Sequence, residues 1–199
     1  MPRLKPALFA LSFLLAACTS GSSGGKGLSS GSIYWTYYDT SYTPFQDIAI
    51  AGGSGQLLTQ VLGNPFDVDQ EQFDKAVTDA MHGAHFGPAT QFTATPNGSF
   101  KRAFYVRLSF DGGGINSICN APPSPPARNA KPTGSVRLSA AFCQSGEPLS
   151  YLEGGGSGYS GPTDPRFVAF MQEVTFNLFP PSNSTLRRGQ PGNCQWPGC

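Results

Sequence analysis

Two short stretches, residues 103–110 (AFYVRLSF) and 136–142 (VRLSAAF), alternate between apolar and other side chains with a period of two. In an extended chain Phe104, Val106, Leu108 and Phe110 point one way, and Tyr105, Arg107 and Ser109 point the other. Val136, Leu138, Ala140 and Phe142 repeat the pattern, with Arg137 on the outer face. One buried and one solvated face is the mark of an antiparallel sheet covered on one side. The run between the two stretches, residues 121–132, holds five prolines. Proline lacks an N–H and fixes its own backbone angle, so this run is neither helix nor central strand. It reads as an extended surface loop. The chain therefore needs a sheet with an apolar face, and something apolar to cover it.

Two helices supply the cover. The first spans about residues 70–82. Asp69 stands at its cap, Gln72 at the reciprocal capping-box position, and Val68 and Phe73 at the staple positions. Phe73, Val77, Ala80, Met81 and Ala84 recur at three- and four-residue steps, and Gly83 stops the run. The second is capped by Asp164 with Pro165 in its first turn, and Pro180-Pro181 ends it. Its apolar face is Phe167, Phe170, Met171, Val174 and Leu178. Residues 33–42 (IYWTYYDTSY) read as an aromatic strand, residues 47–51 as a short second strand and residues 56–62 as a third. Residues 149–153 pair back on residues 136–142 as a hairpin, and the glycine run 154–161 reads as a mobile stretch. The expected fold is α+β, an antiparallel or mixed sheet with two helices packed on one face. One domain covers residues 33–181, and a polar tail follows over residues 182–199.

The N-terminus carries an address. Arg3 and Lys5 precede an apolar run over residues 7–17, too short for a bilayer-spanning helix of about 20 residues. A basic start, a short apolar stretch and a small-residue exit read as a signal peptide over residues 1–17. The exit, Leu15-Ala16-Ala17-Cys18, resembles the bacterial lipobox, which implies diacylglycerol on the Cys18 thiol and acyl chains such as palmitate holding the protein to a membrane. Thr19, rather than Asp, follows the cysteine, and by the same resemblance this favours the outer membrane, with the body on the periplasmic side. Residues 19–32 (TSGSSGGKGLSSGS) are a flexible tether that reaches roughly 20 Å. Removal of the leader lowers the basic count from 13 to 11 against 12 acids, a mature charge of −1. Charged residues are only 13 % of the chain, which offers no basic face for nucleic acid.

Four further cysteines fit an oxidising compartment. Cys119 follows one strand and Cys143 ends the next, and these are paired. Cys194 and Cys199 then close a small ring at the C-terminus. A zinc site needs two close knuckles, and only the last pair is close.

The order of elements resembles the small α+β modules of several envelope lipoproteins, the TolB N-terminal domain and the CsgG type among them. More specifically, GNPFDVDQEQFDKAV (63–77), YVRLSF (105–110), AAFC (140–143), TDPRF (163–167) and LFP (178–180) resemble an uncharacterised group of short envelope lipoproteins from alphaproteobacteria. The likeness covers about residues 45–180. It implies an envelope location and transfers no activity.

No catalytic, metal or cofactor motif stands out. Asp79, His82 and His85 sit at three-residue steps, but Gly83 ends the helix between the histidines and HExxH is absent. The histidines read as residues that meet free carbonyls at a helix C-terminus. Ser54, Ser157 and Ser160 lie among glycines without a G-x-S-x-G frame. Asp111, Glu147, Glu153 and Glu173 have no spacing that pairs any two for glycoside hydrolysis. Tyr34, Trp35, Tyr37 and Tyr38, with Tyr42 and Phe45 beyond, form the best binding candidate, because such rings combine large area with a polar handle. The expectation is a non-catalytic, lipid-anchored envelope protein that contacts another envelope protein or peptidoglycan. The alternatives are a carrier of a small apolar ligand, which needs an enclosed cavity, and a cell-wall hydrolase whose acids meet only in the fold.

Overall fold

The two alternating stretches lie side by side in the computed structural model, which describes residues 31–97, 100–110, 114–120 and 134–184. The signal peptide, Cys18, residues 19–30 of the tether, Asp111, the Pro-rich run 121–132, Cys194 and Cys199 lie outside the described residues, while Ser32, assigned to the tether, opens the first strand. The elements run β1 (Ser32–Tyr38), α1 (Pro44–Ala51), β2 (Gln56–Leu62), α2 (Gln70–Met81), β3 (Gln91–Thr93), β4 (Phe104–Ser109), α3 (Ile115–Ile118), β5 (Val136–Gln144), β6 (Glu147–Gly156) and α4 (Pro165–Leu178). They build one six-stranded sheet in the order β1-β6-β5-β4-β2-β3. Strand β2 is parallel to β3 and β4, and the other pairs are antiparallel, so the sheet is mixed.

One face of the sheet carries Val106, Leu108, Leu138, Ala140 and Phe142, all inaccessible to solvent. Helices α2 and α4 pack over it and against each other. Their seam is aromatic. Phe66 meets Phe167 edge to face at 5.1 Å, and Phe73 meets Phe110 at 4.9 Å. A layer of interlocked rings of this kind excludes water and adds ring–ring contacts to the burial of apolar area. On the opposite face a smaller cluster joins Ile118, Cys119, Ala141, Cys143 and Tyr151 under α3. The Cys119–Cys143 disulfide, with Cα atoms 5.8 Å apart, ties α3 to β5 there.

The structure differs from the sequence reading at several places. Residues 47–51 are the second half of helix α1, not a strand. The Asp47 carboxylate accepts from the Thr43 N–H at 2.7 Å and its hydroxyl at 3.1 Å, and Pro44 presets the first turn. Ile48 and Ala51 are then buried while Ile50 is exposed, which is helical spacing. The glycines at 154–156 are not mobile loop but the end of β6. They are seats for rings: a Cβ on Gly154 would stand 3.3 Å from Phe170, and one on Gly156 would strike the Tyr159 hydroxyl. Asp69 makes no side-chain bond to its helix, whereas Asp164 accepts from Arg166 N–H at 2.9 Å as a cap should. Asn183, assigned to the polar tail, is buried and donates to the Asp39 and Tyr42 carbonyls.

Arg107 is the largest departure. Its side chain is on the outer face as expected, yet it is buried beneath α3. Nε donates to Gln60 Oε1 at 2.8 Å and Nη1 to the Ile118 carbonyl at 2.9 Å. The Tyr105 hydroxyl donates to the next carbonyl, Cys119, at 2.5 Å. Two side chains of β4 thus satisfy carbonyls that the C-terminal end of α3 leaves free.

Candidate functional site

The four aromatic candidates share β1, the terminal strand on one side of the sheet. Aromatic and β-branched residues suit a pleated surface, and Ser32–Tyr38 contains no charge, glycine or proline. Strand β6 pairs with β1 along one side, with Trp35 opposite Glu153 and Tyr37 opposite Tyr151. The register shifts between Ile33 and Trp35, so a bulge falls at Tyr34. Tyr34 and Trp35 remain 59 % and 44 % exposed, large values for rings of their size.

The four rings do not play one role. Trp35 packs edge to face on Tyr151 at 5.2 Å, which fixes the ring while part of it stays in solvent. Tyr34 stands free of the core. Tyr37 leans into the small cluster on the outer face, and its hydroxyl donates to Asp39 Oδ2 at 3.2 Å. Burial, then the Asp39 charge, raises the Tyr37 pKa above that of a free phenol. Tyr38 packs against the main core and donates to the Asn177 carbonyl near the end of α4 at 2.8 Å. Tyr42 is fully buried and donates to the Leu178 carbonyl at 2.7 Å. Phe45 is exposed and touches Phe86. Tyr34 and Trp35 are therefore the exposed rings of the strand, and Tyr38 and Tyr42 secure it to α4.

Two surface depressions flank β1. A cleft of about 470 Å³ runs along it, lined by Ile33, Tyr34, Trp35 and Thr36 on one side and Glu173 and Asn177 of α4 on the other. A polar groove of about 670 Å³ lies at its C-terminal end, where Tyr37 and Asp39 face Asn116, Asn120, Gln144 and Glu147. The disulfide and Asn120, which donates to the Gly146 carbonyl at 2.8 Å, hold the far wall of this groove in place. Ser41 donates to Asp39 through both its N–H and its hydroxyl, and these bonds lower the Asp39 pKa. The groove thus carries fixed negative charge, which disfavours anionic ligands.

Glu147 lines this groove, and Glu153 lies six residues along β6, about 20 Å away in an extended strand. Glu153 accepts from the Tyr151 hydroxyl at 2.6 Å; burial first, then this bond, pushes the Tyr151 pKa up to about 12. Glu173 borders the cleft on α4. Asp79 pairs with Lys75 at 2.5 Å, not with a histidine. His82 Nε2 lies 3.1 Å from the Phe92 carbonyl and His85 Nε2 lies 2.9 Å from the Pro88 carbonyl. Both histidines therefore meet carbonyls of the following chain rather than those of their own helix, and both rings stand against Phe92. Among the described residues no three His, Cys, Asp or Glu side chains gather into a metal-binding group.

Glu173 and Asn177 were not legible as partners of β1, because only the crossing of α4 over the sheet edge brings them there. Asn116 and Asn120 join the groove because the disulfide and the Tyr105 and Arg107 bonds to the Cys119 and Ile118 carbonyls hold their segment on the sheet. Models of known protein families, curated proteins and solved structures yield no match to this chain.

Proposed function

We propose that the protein is a non-catalytic, lipid-anchored component of a bacterial cell envelope, of the alphaproteobacterial type it resembles, which presents β1 as a contact strand. The observation that carries this reading is the position of an uncharged aromatic strand at the end of the sheet, with no strand beyond it among the described residues and the Gly/Ser tether directly before it in the sequence. Exposed rings rimmed by polar groups are the usual anchors of protein contacts. The tether lets them scan a layer close to the membrane surface. The Cys119–Cys143 disulfide supports an oxidising compartment such as the periplasm. Carriage of an apolar ligand between sheet and helices is less well supported, since Phe66, Phe73, Phe110 and Phe167 fill that layer.

The test is in-cell crosslinking of the tagged native chain, with mass spectrometry of what co-purifies. A Cys18→Ser chain is the control. The proposal expects an envelope component captured by the native chain and lost in the control, together with release of the control from the membrane. A folded native chain that captures nothing and does not change location in the control contradicts it.

A further inference from the structure

We propose that β1 pairs with β1 of a second copy of this chain, antiparallel across a two-fold axis, so that two six-stranded sheets join into one. A sheet edge presents unpaired N–H and C=O groups that invite another strand, and proteins blunt such edges with charge, proline or shortness. Strand β3, at the other edge, is blunted by its length of three residues. Strand β1 is seven residues long and carries neither charge nor proline. Among the described residues it has β6 on one side and no strand on the other. Its one irregularity, the bulge at Tyr34, falls toward its N-terminal end and leaves residues 35–38 in regular register.

Charge selects the occupant. A strand that pairs with its own copy sets each residue against residues of the same strand, so any internal charge would meet its like across the seam. Ser32–Tyr38 has none to meet. Trp35 and Tyr37 lie on the outer face of the strand and Tyr38 on the core face, so a two-fold axis that joins the sheets passes through a residue. An axis at Thr36 sets Thr36 opposite its own copy and Trp35 opposite Tyr37, an aromatic pair of the kind that stabilises sheets. Asp39, the first charge past the strand, argues for the antiparallel sense, which places the two carboxylates toward opposite ends of the seam. The exposed rings of Tyr34 and Trp35 gain cover in the same step. A seam of seven residues a side is smaller than a standard interface of about 800 Å² per partner, so pairing in free solution is concentration-dependent. Two copies held on one membrane by flexible tethers meet at a much higher effective concentration.

This inference deepens the proposed function in using the same strand, but does not require the lipid. The first experiment places a photoreactive benzophenone amino acid at position 34 of the full chain in cells, with position 91 on the opposite sheet edge as control. A product of twice the monomer mass at position 34 alone is expected. A product with a different protein only, or no product, overturns the pairing. The second mixes full-length Thr36→Lys and Thr36→Glu chains purified in mild detergent. Thr36 is exposed, so folding, checked by circular dichroism, is unchanged. Sedimentation should show each variant monomeric at a concentration where the native chain is dimeric, and the mixture dimeric again. Dimerisation of the native chain with no loss in either variant overturns the proposal. Loss of pairing alongside membrane release by Cys18→Ser leaves the envelope reading standing; pairing without such release does the reverse.

Discussion

Joint replacement of Cys119 and Cys143 by alanine removes the cross-link that holds α3 on the sheet. The two cysteines are 24 residues apart, and the intervening chain includes the Pro-rich run. Closing a loop of this length in the unfolded chain is worth about 3–4 kcal/mol in the chain-entropy treatment. For a body of some 150 residues each kcal/mol moves the midpoint by about 2–4 °C, so the variant should melt about 6–16 °C lower. Both sulfurs are buried in the small cluster, so lost packing acts in the same direction. The assay is urea unfolding of the full chain followed by circular dichroism, with a Cys194→Ala/Cys199→Ala chain alongside. The account expects a large loss in the first variant and little in the second. A loss below about 0.5 kcal/mol from the Cys119/Cys143 pair, or an equal loss from both pairs, would refute the reasoning that this cross-link confines α3.

Three further perturbations probe the same framework. Arg107→Ala leaves the Gln60 side chain and the Ile118 carbonyl without their charged donor, and should cost about 1.5–3 kcal/mol in urea unfolding, whereas Arg137→Ala on the exposed strand position should stay within about 0.5. Gly154→Ala drives a Cβ to 2.9 Å from the Ser32 carbonyl oxygen and 3.3 Å from Phe170, so a loss of about 1–3 kcal/mol is expected, and unchanged stability would show that the ring is not seated on β6. The Asp164 pKa lies below the usual carboxylate range, chiefly through the Arg166 side chain and then the N–H groups of Ser160 and Arg166. Its stabilisation is complete above the unfolded value near about 4 and fades as pH falls through the lower folded value. Asp164→Asn should therefore be less stable than the native chain at neutral pH, with the gap narrowing in acid; a gap that stays constant into strong acid would rule out the charge as its source.

Period-two patterning identified β4 and β5 because each buries one face against the helices, and the three- and four-residue steps identified α2 and α4 for the same reason. Where burial came from elsewhere the signal was weaker. The short apolar run at Ile48 reads as a strand until Thr43, Pro44 and Asp47 are recognised as one helix start. The glycines at 154–156 look like a loop because the rings that fill their missing side chains, Phe170 and Tyr159, come from later in the chain. Arg107 looks solvent-facing because α3, which buries it, is too short to carry a periodic pattern. The candidate strand itself was visible from composition, since six of the seven residues in Ser32–Tyr38 are aromatic or β-branched. That it ends the sheet was not, because strand order depends on long-range pairing with β6.

In the proposed arrangement a folded body is held at a membrane by Cys18 and presents β1 from there. The most direct measurement is mass spectrometry of the N-terminal peptide of the native protein taken from its own membranes. The account predicts a chain that starts at Cys18 and carries diacylglycerol on its thiol. A mature chain that starts at another residue, or one with Cys18 unmodified, would contradict it.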